Sequence, residues 1–194
     1  MALWGKSDAD ESKPKWLTTA EKKEVYATAS GWVREAGSSW SGNGNTSAQA
    51  EVLACIGSLS TDIGAADVTE VEWITTSFSK SAAAASGRTL SVRVRYNEPV
   101  TVTGSPTLVV TNDTNANHTL VYASGTGSNE LVFSLVIAAA NAATDADDVL
   151  SIAAQNILKP GGATMKDATG TATDSAVAIS GTQGTAAGTI TVVA

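Results

Sequence analysis

A histidine that works as a general base needs a nucleophile to deprotonate and an acid to orient its ring. The single histidine, His118, lies in Asn115-Ala-Asn-His-Thr, and no Gly-x-Ser-x-Gly or comparable frame accompanies it. It reads as a loop histidine beside a turn. Asp145, Asp147 and Asp148 could offer carboxylate oxygens to calcium, but Asp145-Ala-Asp-Asp148 lacks the glycine and terminal glutamate of an EF-hand loop. A solvated acidic turn is the reading taken, with calcium as its competitor. Cys55 is the one cysteine, so it has no internal disulfide partner. Its neighbours Val52, Leu53 and Ile56 favour a buried, inert thiol. Gly125-x-Gly and Gly161-Gly open no helix after a parallel strand and precede no P-loop lysine, so they read as hairpin turns. These residues predict no catalytic centre and no cofactor, and hence a protein that is not an enzyme.

The indoles carry a stronger signal. Four of the five tryptophans, Trp4, Trp16, Trp32 and Trp40, fall within the first forty residues, a stretch poor in aliphatic side chains. An indole buries a large apolar area and is enriched at interfaces, so tryptophans on a segment without its own core point to a partner surface. The predicted partner-binding residues are Leu3, Trp4, Trp16, Leu17, Trp32, Val33 and Trp40. Trp73 reads as core.

Charge narrows the choice of partner. The chain has 12 basic and 19 acidic residues, a net charge of −7, and residues 1–50 hold six of each sign. The remaining 6 basic and 13 acidic residues give the second part a field that repels phosphate backbones, which argues against nucleic acid. No apolar run is long enough to cross a bilayer as a helix. The first eight residues lack a cationic segment followed by an apolar run, so the expectation is a chain made in the cytosol that stays soluble, whatever it later joins.

The elements that would position these residues divide at residue 67. Residues 1–67 are expected to form an extended, partly helical docking arm. Thr18-Thr-Ala-Glu21 has capping-box spacing and predicts a short helix over residues 20–29, and Gly37 to Ser47 reads as a flexible loop. Residues 48–59 read as a short helix or a strand. From Val68 the period becomes two. Leu90, Val92, Val94 and Tyr96 face inward, whereas Ser91, Arg93 and Arg95 face water. Similar runs at 100–102, 107–111, 119–122, 130–137, 149–152, 177–179 and 189–193 place Leu108, Val110, Leu120, Tyr122, Leu131, Phe133, Leu135 and Ile137 inside. The expectation for residues 68–194 is an antiparallel β-sandwich of immunoglobulin-like size, and the whole chain is mainly β.

The segment from Arg93-Val-Arg-Tyr-Asn-Glu-Pro-Val through Tyr122-Ala-Ser-Gly-Thr-Gly, Asp147-Asp-Val-Leu-Ser-Ile and Gly161-Gly-Ala-Thr-Met-Lys-Asp resembles bacterial immunoglobulin-like repeats over roughly residues 85–180. That resemblance implies a fold and says little of function, because such repeats serve as spacers, adhesins and virion ornaments. Met1-Ala-Leu-Trp-Gly, Pro14-Lys-Trp-Leu and Gly31-Trp-Val resemble the opening of virion structural proteins from tailed phages of marine cyanobacteria. This second resemblance implies a virion component that contacts the major capsid protein or other subunits, with homo-oligomeric contacts in the particle. A capsid decoration or cement protein heads the expectation. A neck, tail or fibre component and a cell-surface or carbohydrate-binding module are the alternatives.

Overall fold

The computed structural model describes residues 13–80, 87–138, 144–168 and 173–194. Thr18 starts the first element by the expected device. Its hydroxyl accepts the Glu21 N–H at 3.3 Å, and the Glu21 carboxylate accepts the Thr18 N–H at 2.9 Å. Two backbone donors at the helix start are thereby satisfied reciprocally. The helix, α1 (Thr19–Lys23), is shorter than the sequence predicts. Val25–Thr28 forms strand β1, and a two-residue connection leads to β2 (Gly31–Arg34). Burial explains the change of period. On the strand Val25 and Ala27 both point inward, whereas a helix carrying only Val25, Tyr26 and Ala29 would present too narrow an apolar stripe to bury.

Strand β3 (Glu51–Cys55) pairs with β2, and α2 (Leu59–Asp62) follows. Leu17, Val25, Ala27, Trp32 and Leu59 close into a small core, with Leu53, Ala54, Ile56 and Ile63 packed against it. Residues 13–67 are therefore a folded three-stranded unit and not an extended arm. The aliphatic side chains come from both sides of the 37–47 loop, so no local stretch looked able to enclose an indole.

The larger unit begins with β4 (Val68–Trp73) and β5 (Phe78–Ser79). The long strand β6 (Arg88–Thr103) precedes β7 (Thr107–Asn112), β8 (His118–Ser124) and β9 (Ser128–Ile137). β10 (Val149–Ser151), β11 (Gln155–Asn156), β12 (Thr164–Asp167) and β13 (Ala178–Ile179) are short. Helix α3 (Gly181–Ala187) leads into β14 (Thr189–Val193). The main sheet runs β12-β6-β9-β8-β7-β10-β14-β5, and β4 also pairs with β6. All pairs in it are antiparallel except β5 with β14.

β6 makes the sheet curl. Its pairing with β9 shifts between Arg95 and Val100, where Pro99 has no N–H to donate. Before the bend β4 occupies its edge from Val92 to Tyr96, and after it β12 occupies Val100 to Thr103. Asn97 pins the bend: its side-chain oxygen accepts the Asp67 N–H at 2.6 Å, and its own N–H reaches the Asp67 carbonyl at 3.0 Å. The curled sheet encloses Leu90, Val92, Val94, Tyr96, Leu108, Val110, Leu120, Leu131, Phe133 and Ile137, all buried as the alternation predicts. Tyr122 and Leu135 are half-buried at its margin, and the Tyr122 ring meets Phe133 edge-on at 6.1 Å. Trp73 packs at the margin too and donates its indole N–H to the Gly188 carbonyl at 3.1 Å.

Candidate functional site

The predicted anchors separate into three groups. Trp32 is fully buried, with Leu17 and Val33 nearly so. The expectation that these three bind a partner is corrected: Trp32 and Leu17 lie in the small core of the three-stranded unit, and Val33 is buried within the folded chain as well. Trp16 and Trp40 remain 60% and 49% exposed, and Val52 on β3 is 53% exposed. Leu3 and Trp4 lie outside the described residues.

Local structure holds both exposed indoles in defined places. Trp16 rides a turn closed by the Leu17 N–H donating to the Pro14 carbonyl at 3.1 Å, directly before the Thr18 cap. The turn carrying Trp40 is tied down by Arg34. Its guanidinium donates to the Trp40 carbonyl at 3.1 Å and lies 3.3 Å from Glu51 and 3.6 Å from Glu21. One arginine at the end of β2 thus links the loop, β3 and α1.

A second assembly of side chains lies where this unit packs on the outer face of β4, β6 and β9. Arg93 and Arg95 do not face water there. Register sets Glu70 opposite Arg95, Glu72 opposite Arg93, and Arg95 opposite Glu130. Opposite charges therefore meet across neighbouring strands on one face. Arg95 lies 2.8 Å from Glu70 and 2.7 Å from Glu130, and Arg93 lies 2.9 Å from Glu72 and 2.7 Å from Glu130. From the small unit Lys23 reaches Glu70, and Glu35 lies 3.7 Å from Arg95. Asn129 donates its side-chain N–H to Glu35 at 2.7 Å. A cleft of about 410 Å³ opens along this seam, lined by Tyr26, Glu35, Arg93, Arg95, Asn129 and Glu130 among others.

Electrostatics in the seam are uneven. Burial, reinforced by the Glu130 charge, pushes the Glu35 carboxyl up to about 7 against the pull of Arg95 and Asn129. Burial also works against ionised Glu130, yet hydrogen bonds from Arg93 and Arg95 prevail and hold its carboxyl below the usual range. Tyr26 is pushed up by burial and by Glu35. The seam had a sequence signal, namely acids two residues apart on β4 and bases two residues apart on β6. Each strand read by itself assigns Arg93 and Arg95 to solvent.

The residues weighed for chemistry are placed differently from expectation. His118 is no loop residue: it starts β8, is 1% exposed, and neither ring nitrogen has a hydrogen-bond partner among the described residues. Burial lowers its pKa, opposed by the Asp148 charge. Cys55 is exposed at the end of β3, since Val52 and Cys55 both lie on an open surface. The acidic turn is not solvated at Asp148, which is 2% exposed. Its carboxylate accepts from the Thr114 hydroxyl, the Asn112 amide at 2.8 Å, the Asn115 amide at 2.9 Å and the Asp145 N–H at 2.9 Å. Burial disfavours its charge, but these donors together hold the carboxyl well below the ordinary range. They use the oxygens a calcium ion would need, and no group of three or more His, Cys, Asp or Glu among the described residues is arranged to hold a metal.

An apolar groove of about 430 Å³ lies between β7 and the 153–158 segment, with Val109, Ala153, Ala154 and Leu158 on its walls. There the Gln155 side chain imitates a strand. Its oxygen accepts the Val109 N–H at 2.8 Å and its amide donates to the Val109 carbonyl at 2.7 Å. No protein-family model, curated protein or solved structure matches this chain.

Proposed function

We propose that this chain is a non-enzymatic virion structural protein, a capsid decoration or cement protein whose N-terminal unit docks on the shell while the larger β unit projects outward. The observation that carries the reading is the pair of half-exposed indoles, Trp16 and Trp40, on a unit that has already satisfied its own core around Trp32. Indoles left on the outside of a folded unit contribute most when a partner covers them, about 2–3 kcal/mol each. Repetition over the many copies of a symmetric shell multiplies that gain. The partners are the major capsid protein or other virion subunits, with contacts between copies of this chain in the particle. The excess of acid in the larger unit disfavours nucleic acid and keeps projecting domains from clumping.

The pairing pattern supports an immunoglobulin-like sandwich for that unit. In this reading of the one continuous nine-stranded sheet, β4, β6, β9 and β8 stand for one layer and β7, β10 and β14 for the other, with β7 and β8 still paired where the sheet curls from one to the other. The opening segment divides between them, β4 on β6 and β5 parallel on β14.

Copy counting in purified virions tests the role. Quantitative mass spectrometry is expected to find this chain at hundreds of copies per particle. About a dozen copies would place it in the neck or tail, and absence from washed particles would refute a virion role.

A further inference from the structure

Charges in the seam between the two units do not balance. Glu35, Glu70, Glu72 and Glu130 face Arg93, Arg95 and Lys23, so four carboxylates share three cations. Glu24 adds a fifth carboxylate at the cleft. One of its oxygens accepts the Ser39 hydroxyl at 2.9 Å, and the other is buried with no hydrogen-bond partner among the described residues. Arg34, next to Glu35 in the chain, brings no relief because Glu21, Glu51 and the Trp40 carbonyl engage it. Glu35 is the carboxylate held least well. Arg95 lies 3.7 Å from it but only 2.7 Å from Glu130, and Asn129 donates to it at 2.7 Å. Two part-buried carboxylates that crowd one guanidinium favour a proton on the one held less well.

We propose that this seam is a proton-operated latch: a neutral Glu35 lets the three-stranded unit seat on the β4-β6-β9 face, and loss of its proton sets an unmatched carboxylate beside the Arg95–Glu130 pair and loosens the unit. Every element around Glu35 bears on the balance. β1 brings Tyr26, the end of α1 brings Lys23 and Glu24, β4 brings Glu70 and Glu72, β6 brings Arg93 and Arg95, β9 brings Glu130, and β3 brings Glu51. Arg34 serves Glu51 and Glu21, so an ionised Glu35 has only a share of Arg95 as counter-charge.

The sign follows from linkage. The Glu35 carboxyl titrates at about 7 in the folded chain, above its ordinary 4.5. The folded state therefore binds this proton more tightly than the unfolded chain does. Its contribution is complete below pH about 4.5 and is lost as pH rises through about 7. His118, whose pKa is lowered from 6.5, gives the opposite slope on the acid side, so Glu35 variants must be compared with the wild type across the same range.

Amide exchange of the full chain, corrected for intrinsic rates, tests the latch between about pH 5.5 and pH 8.5. In the wild type the protection of Val25–Arg34, relative to that of β6 and β9, is expected to fall about tenfold or more over this range. Glu35→Gln and Glu35→Ala, which have no proton to lose, are expected to hold a constant ratio. A constant ratio in the wild type would overturn the proposal, and so would an equal fall in both variants. Should neither variant fold, the wild-type series decides by itself.

Discussion

Three tryptophans of the same unit divide into one buried and two exposed, and residue type alone does not distinguish them. Trp32 is surrounded by Leu17, Val25, Ala27 and Leu59, whereas Trp16 and Trp40 stay half outside. Trp32→Ala is expected to cost about 3–5 kcal/mol, because the small unit cannot collapse around so large a void. Trp16→Ala is expected to change stability by less than about 1 kcal/mol. Denaturant titration of the two variants checks both values. His118 supports a second prediction. Its folded pKa lies below the ordinary 6.5, so its contribution is present above that value and is lost as pH falls through the folded value. Melting curves of His118→Phe should lack this acid-side component while the wild type shows it. What the sequence hid at this scale is sequence distance: the Trp32 core draws on Leu59, and Asp148 is bound by residues 112–115.

At the scale of elements, period-two alternation made β6 through β9 and β14 legible, since each strand shows one face to the core and is long enough to display it. Two-residue strands such as β5 and β11 have no period to read, and their pairing depends on distant partners. β1 was taken for the continuation of a helix because the cap of α1 is real while its length is set by tertiary burial. Gly31, which opens β2, has φ +135°, and a Cβ placed there would sit 1.9 Å from the Ala54 carbonyl oxygen. Gly31→Ala is therefore expected to cost about 3 kcal/mol or more and to part β2 from β3. Gly42, with φ +66° and open space around it, should lose only about 1 kcal/mol on the same change. Parallel thermal melts test the difference. Gln155→Leu should cost about 1 kcal/mol, since it removes both hydrogen bonds to the half-buried N–H and carbonyl of Val109.

For the whole molecule, the small unit serves two surfaces. It meets the larger unit through the Glu35 seam, and it leaves Trp16 and Trp40 half-exposed. The mainly β character of the chain was readable from composition and alternation, whereas the folding of residues 13–67 into a unit of their own was not. The proposed virion role rests on the exposed indoles. Its most direct test is the amount of this chain in purified particles when wild type is compared with the double variant Trp16→Ala, Trp40→Ala, with circular dichroism confirming that the variant folds. The expected result is full occupancy for the wild type and near-complete loss for the double variant. Equal incorporation of the two proteins would contradict docking through these indoles.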